Sequence, residues 1–239
     1  MADSQQPSTM RAATFFDVDG TLVQSTIAHY YAYFRRVRMS ALWGRLWYAA
    51  FIAKCGYYLV LDRINRSTMN VVFYRSYRGL PVDEIKARSI DCHRDIIRPR
   101  KFQQVAECVE MHRQAGRAIV LVTGSIDFIV APLAEELGAD WVVAASLKES
   151  HGRFTGDLDG PPIGQQEKAR RIRHFAQSHD IDLSQSYGYG DSIADLEMLE
   201  AVGFPVAVNP DKALARAAKA RGWPTHRWTL PPRGESDGR

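Results

Sequence analysis

The sequence predicts an α/β protein: a Rossmann-like parallel sheet with helices on both faces and an inserted α-helical cap domain. Three observations lead there. Short runs that are apolar throughout end abruptly in small polar residues, as strands buried on both faces do. Between these runs lie segments with apolar residues at helical spacing, and that alternation defines a parallel sheet with crossover helices. From Gln24 to about Pro99 the alternation stops, and the text reads as several helices.

AATFF, Ala12 to Phe16, is the first strand and stops at DVDGT. A helical stretch from Phe102 to Ala115 is closed by Gly116, a common helix stop. AIVLVTGS, Ala118 to Ser125, is the second strand and Trp141 to Ala145 the third. The segment Glu167 to Gln177 puts Ala169, Ile172 and Phe175 on one helical face. SYGYGD, Ser186 to Asp191, and FPVAV, Phe204 to Val208, complete the series. Parallel sheets bind ligands beyond the carboxyl ends of their strands. Asp17, Thr123 and Asp191 all fall there.

The chain has 239 residues, 46% apolar and 24% charged, which excludes a disordered, collagen-like or disulfide-scaffold protein. Three cysteines, Cys55, Cys92 and Cys108, with no close-spaced pair, fit a reducing compartment. The polar start MADSQQPSTMR lacks a secretory pattern, so a cytoplasmic protein is expected. The expected organisation is a disordered arm over 1–11, a core domain from 12–23 and 100–228, a helical cap over 24–99, and a disordered tail over 229–239. Charge follows this division. Tyr30 to Lys101 holds 15 basic and 5 acidic residues, a balance of +10; the remainder holds 16 and 22, a balance of −6.

Ala41 to Leu61, ALWGRLWYAAFIAKCGYYLVL, is as long as a membrane span. Arg45 and Lys54 interrupt it, at roughly 2.5–3.5 kcal/mol each near a bilayer centre. Nine residues apart, they point to opposite faces of a helix at ~100° per residue. A helical core or ligand-facing lid is the first reading; contact with a membrane surface and a span are the others.

Four elements carry chemistry. In DVDGT, Asp17 and Asp19 lie two apart, and carboxylates that close repel unless a cation offsets them. Gly20 permits a tight turn, although Asp-Gly is also ordinary turn chemistry. In GDSIADLEML, Asp191 follows a strand and Asp195 lies one turn on; a capped, solvated pair is the bland alternative. Thr123 in LVTGS is a hydroxyl at a strand end, followed by Gly124. Lys168 opens a helix after LDGPPIGQQ, where a lysine is usually solvated but beside an oxyanion becomes a charge partner.

These four elements in this order resemble the haloacid dehalogenase superfamily of phosphatases and phosphotransferases. DVDGTL resembles its first motif, Thr123 its second, Lys168 its third and GDSIAD its fourth, over roughly Ala12 to Asn209. A cap between the first and second motifs, VTGSIDFIVAPLAEELGAD and the hairpin-like SLKESHGRFTGDLDG resemble the phosphoserine phosphatase-like branch. Lys148 competes for the third motif but precedes the hairpin turn Ser150-His151-Gly152, so Lys168 is preferred.

The resemblance implies an aspartyl-phosphate mechanism. Asp17 is the expected nucleophile, and Asp19 the general acid, then base. Mg²⁺ is the expected cofactor, held by the carboxylates of Asp17 and Asp191 and the backbone carbonyl of Asp19, with Asp195 behind them orienting Asp191 or Lys168. Thr123 and the amides of Gly20, Thr21 and Gly124 are expected to hold phosphate oxygens, and Lys168 to offset their charge.

The departures bear on substrate. Where phosphoserine phosphatases carry a glutamate that reads the serine amine, this chain has Thr26, within QSTIAHYY. The usual asparagine before the last aspartate is Ala194. The cap is aromatic and basic, with Tyr30, Tyr31, Tyr33, Phe34, Arg35, Arg36, Trp43, Trp47 and Phe51. It resembles the apolar caps of phosphatidylglycerophosphatase-like members; an aromatic helical core with surface arginines is the other reading. The expected partner is a small-molecule or amphiphilic phosphomonoester, with a lipid headgroup phosphate or phosphoserine as alternatives and peripheral membrane contact through the cap. Phosphoryl transfer to an acceptor other than water is a second enzyme reading. Nucleic-acid binding by the basic block lacks any recognisable motif.

Overall fold

The computed structural model describes residues 11–37 and 39–232. Residues 1–10 of the expected arm and 233–239 of the expected tail lie outside the described residues.

Six parallel strands form the main sheet in the order β3-β2-β1-β6-β7-β8. They are β1 (Ala13–Phe16), β2 (Ala118–Ile126), β3 (Trp141–Ala145), β6 (Tyr187–Gly190), β7 (Phe204–Val208) and β8 (Thr225–His226). All four residues of β1 are buried, as its unbroken apolar run requires. Its neighbours fix the register. Phe16 sits opposite Leu121 of β2 and Tyr189 of β6, and the Asp17 amide continues the ladder by donating to the Tyr189 carbonyl at 3.0 Å. Asp17 therefore leaves the sheet between β2 and β6. The two-residue edge strand β8 is too short for any periodicity to show.

After β1 come the helices α1 (Ile27–Arg36), α2 (Ala41–Ile64), α3 (Arg66–Tyr74) and α4 (Val82–Ala87). A short helix α5 (Ser89–Cys92) and a series of π and 3-10 turns to Arg100 follow. Their interior is aromatic. Tyr31 packs on Phe51 at 5.5 Å and Phe73 at 5.7 Å between ring centroids, while Trp47 stacks on Phe51 at 4.9 Å. The aromatic-core reading holds for these rings, but Trp43 stays 69% exposed. The antiparallel hairpin β4 (Leu147–Ser150) and β5 (Arg153–Leu158) buttresses the helices. The Gly79 amide donates to the Phe154 carbonyl of β5 at 2.8 Å, the Phe154 amide donates to the Leu80 carbonyl at 3.0 Å, and the Phe154 ring packs against Tyr77.

The remaining helices are α6 (Val105–Gln114), α7 (Asp127–Leu137), α8 (Gln165–Ser178), α9 (Leu196–Glu200) and α10 (Lys212–Arg221). Apolar residues pack on both sheet faces, with Phe16, Leu121 and Tyr189 on one side and Phe15, Val120 and Ile172 on the other. Two expected ends differ. Arg11 exchanges backbone bonds with Asp180 and Asp182, and Thr229 is tied by Gln103 and Gln104. Both belong to the ordered fold because their polar groups have partners there. Among the described residues no helix is long and apolar enough to cross a membrane.

Candidate active site

The parallel sheet explains why residues so distant in sequence converge. β1, β2 and β6 all point the same way, so the residues that follow β1 and β6 arrive at one edge, beside the last four residues of β2. Asp17, Thr123 and Asp191 meet there, and α8 brings Lys168 across from the side. Asp17 is 4% exposed and Lys168 6%.

Lys168 Nζ donates to Asp17 Oδ1 and, at 2.6 Å, to Asp195 Oδ1. Burial opposes the ammonium, but these two carboxylates outweigh it and hold the lysine firmly protonated. Burial pushes Asp17 up to about 7, against the pull of Lys168. Burial, together with the charges of Asp17 and Asp195, pushes Asp191 well above the ordinary carboxylate range. Asp195 is fully committed: its other oxygen accepts from the Asp191 and Ser192 amides, each at 3.2 Å. Lys148, the rival for the lysine position, is exposed on the hairpin.

Carboxylate oxygens of Asp17, Asp191 and Asp195 lie within 4.8 Å of one another. With Asp195 engaged by Lys168 and two amides, Asp17 and Asp191 have oxygens to offer a cation. An all-oxygen, multiply anionic donor set fits a hard divalent ion such as Mg²⁺. Gly20 keeps this cluster tight. Its φ is +99°, and a Cβ there would collide with the Asp191 carboxylate. Only glycine fits.

One expected phosphate contact is redirected. The Gly20 amide is taken by the Val23 carbonyl at 2.8 Å, because the turn closes on itself. The Thr21 hydroxyl donates to Asp17 Oδ2 at 2.9 Å and reaches Asp191 at 3.5 Å, so it bridges carboxylates. Thr123 lies buried at the end of β2, its hydroxyl 3.3 Å from Asp19 Oδ2 and accepting the Ser125 amide at 3.0 Å. Gly124 leaves room for Ile163, whose carbonyl a Cβ there would approach to 2.7 Å.

Asp19 has more partners than its motif suggests. Ser125 Oγ donates to it at 2.5 Å and the Tyr30 phenol at 2.7 Å, beside Thr123. Burial raises its affinity for a proton and the three hydroxyls counter that. Ser125 and Thr123 are two apart on one strand, hence on one face; the i, i+2 spacing was the available signal. Arg66 was also missed. It is paired with Asp62 at 2.6 Å, and although burial works against its charge, Asp62 and the more distant Asp195, Asp17 and Asp191 hold it charged.

A cavity of about 780 Å³ opens on this edge, lined by Asp17, Asp19, Thr123, Lys168, Asp191 and Arg66 at one end. Thr26 and Ala194, the two departures from the phosphoserine phosphatase pattern, also line it.

Strand-end aspartates, a buried lysine and a helical cap over a shared cavity define a phosphatase site of the haloacid dehalogenase type. A family model for haloacid dehalogenase-like hydrolases matches residues 14–200, and the chain belongs to that family. It is 38% identical over 220 residues to the "Inhibition of morphological differentiation protein" of Streptomyces azureus, covering 90% of this chain and 77% of that one. It is 30% identical over 235 residues to a phosphoserine phosphatase of Mycobacterium tuberculosis (93% and 72% covered). A histidinol-phosphatase of Neisseria meningitidis is 28% identical over 238 residues (90% and 98% covered). Among solved structures, a Bordetella pertussis Tohama I protein of unknown function superposes with TM-score 0.77 at 28% identity, covering 91% of this chain and 98% of that one. A phosphoserine phosphatase in apo form shares the fold, with TM-score 0.66 at 19% identity over 86% and 90% of the two chains. The chain is thus an enzyme, a phosphatase of the phosphoserine phosphatase-like branch.

Proposed function

We propose that the protein is a Mg²⁺-dependent phosphomonoesterase that works through an aspartyl-phosphate on Asp17 and accepts a small or amphiphilic organic phosphate. The observation that carries this reading is the placement of Asp17. It is a buried carboxylate at the cavity floor, with Lys168 beside it and a hydroxyl-bound Asp19 two residues away.

In the first step an Asp17 oxygen forms a bond to phosphorus while the bond to the leaving oxygen breaks. Asp19, in its protonated form, gives that oxygen its proton and so releases an alcohol. In the second step water attacks phosphorus, Asp19 takes its proton, and the P–O bond to Asp17 breaks to release phosphate. Lys168 and Arg66 face the negative charge of the phosphoryl group. The carboxylates of Asp17 and Asp191 and the carbonyl of Asp19 would hold Mg²⁺, which would offset phosphoryl charge. Phosphoryl transfer to an alcohol in place of water uses the same residues.

Asp17→Asn tests the reading. Phosphate release from p-nitrophenyl phosphate should disappear while the far-UV spectrum stays native. Surviving activity would refute the nucleophile assignment.

A second reading concerns α2. Its outward positions, Leu42, Leu46, Ala53, Tyr57, Val60 and Ile64, are exposed and carry no charge. That face supports peripheral contact with an anionic membrane, in keeping with the basic balance of the cap. Co-sedimentation with phosphatidylglycerol vesicles tests it, and its loss in Leu46→Glu is the expected result.

A further inference from the structure

The cavity extends far beyond the reacting groups, and its chemistry changes along its length. At the inner end stand the aspartates, Lys168 and Arg66; from there it follows α2 outward. The lining residues Asp62, Tyr58, Cys55, Phe51, Tyr48 and Gly44 recur every three or four positions, which is one helix face. That stretch spans about 27 Å at 1.5 Å per residue. From Ala41 to Leu59 every α2 residue on the cavity wall is uncharged. The other basic groups on the lining are Arg100 and, at the outer end, Arg36, which lies 5.1 Å over the Tyr48 ring.

Small residues make the space. Ala32 of α1 lines this stretch of the cavity with Gly44 and Cys55 of α2. A Cβ on Gly44 would meet only Met39, at 3.8 Å. Aromatic residues crowd the rest of the cap, so two closely packed helices would close this gap if those positions were large. An apolar channel opening directly onto a phosphoryl site has little use for a compact, charged alcohol such as serine, which needs partners for its amine and carboxylate.

The geometry points to a tail-binding subsite. The channel between α1 and α2 holds the apolar chain of a single-tailed phosphate monoester, extended away from Asp17 along Cys55, Phe51 and Gly44. This rests on the phosphomonoesterase reading and names its substrate class.

The test is the chain-length dependence of kcat/KM for n-alkyl phosphates from ethyl to decyl, below their aggregation thresholds and with Mg²⁺ present. Each methylene entering the channel should raise kcat/KM about three- to fourfold, as expected for apolar burial, until the channel is filled. Gly44→Leu and Cys55→Phe, which obstruct it at two depths, should each cut the decyl-to-ethyl ratio at least tenfold. The ratio does not depend on the fraction of active enzyme. Gly44→Leu also replaces a poor helix former with a good one. A flat profile, or a ratio unchanged in both variants, overturns the subsite while p-nitrophenyl phosphate hydrolysis keeps the phosphatase reading intact. If every phosphate ester is inert the catalytic reading fails instead, and calorimetric binding of decylphosphonate against ethylphosphonate decides the subsite. Equal affinities overturn it.

Discussion

The phenol of Tyr30, from the first turn of α1, donates a hydrogen bond of 2.7 Å to Oδ1 of Asp19. It is fully buried and also pairs with the Ser25 hydroxyl. The cap thus contributes directly to the orientation of the proposed proton donor. Tyr30→Phe removes one oxygen and nothing else. Hydrogen bonds to charged groups contribute about 1.5–3 kcal/mol, so kcat should fall roughly ten- to a hundredfold, with KM changing far less. Steady-state kinetics separates the two; an unchanged kcat would leave Tyr30 a packing residue.

Lys168 lies between Asp17 and Asp195, out of water. Removing one member of a buried ion pair leaves an uncompensated charge, at about 3–5 kcal/mol. Lys168→Met should lose activity and, in metal-free buffer, lower the urea midpoint accordingly. Combining it with Asp195→Asn should cost less than the sum of the two single changes, because the second relieves the charge left by the first.

Asp17 and Asp191 are neighbouring carboxylates whose mutual repulsion a divalent cation would relieve. Mg²⁺ should therefore stabilise the folded protein, by about 2.7 kcal/mol at a hundredfold excess over its Kd. Tm measured with EDTA and across a Mg²⁺ titration reads this. Asp191→Asn should abolish the dependence on Mg²⁺ while raising Tm in EDTA.

His112 is fully buried, its Nε2 2.8 Å from the Tyr189 hydroxyl. Burial, helped by the Arg117 charge, pushes its pKa down to about 4 from the ordinary 6.5. Between those values the unfolded chain takes up a proton that the folded one refuses. The stability that depends on neutral His112 is present in full above about 6.5 and lost as pH falls toward 4. Urea denaturation at pH 7 and pH 5 should show the decline, and His112→Gln should flatten it while lowering stability at pH 7.

The strands and the clustered aspartates were legible because their signals are local. AATFF stops at DVDGT within ten residues, and a buried parallel strand must end where its apolar run ends. Lys168 was readable only in combination with the other motifs, since a lysine at a helix start is ordinarily solvated. The amide of Gly20 was assigned to phosphate because glycine turns often present one; the turn's own closure onto Val23 takes it away.

By itself the sequence determined which residues stand at strand ends, and therefore the sheet edge at which the acidic residues gather. Backbone sterics and apolar burial act over a few residues and leave a readable pattern. Tertiary structure alone decided that Tyr30 and Ser125 grip Asp19, that Arg66 turns toward the acidic cluster, and that Ala32, Gly44 and Cys55 leave a channel open between two helices. Those outcomes depend on how closely α1 and α2 approach and on hydroxyls up to 106 residues from their acceptor. Spacing between packed helices is set by all the side chains at the contact together, and no local pattern records it.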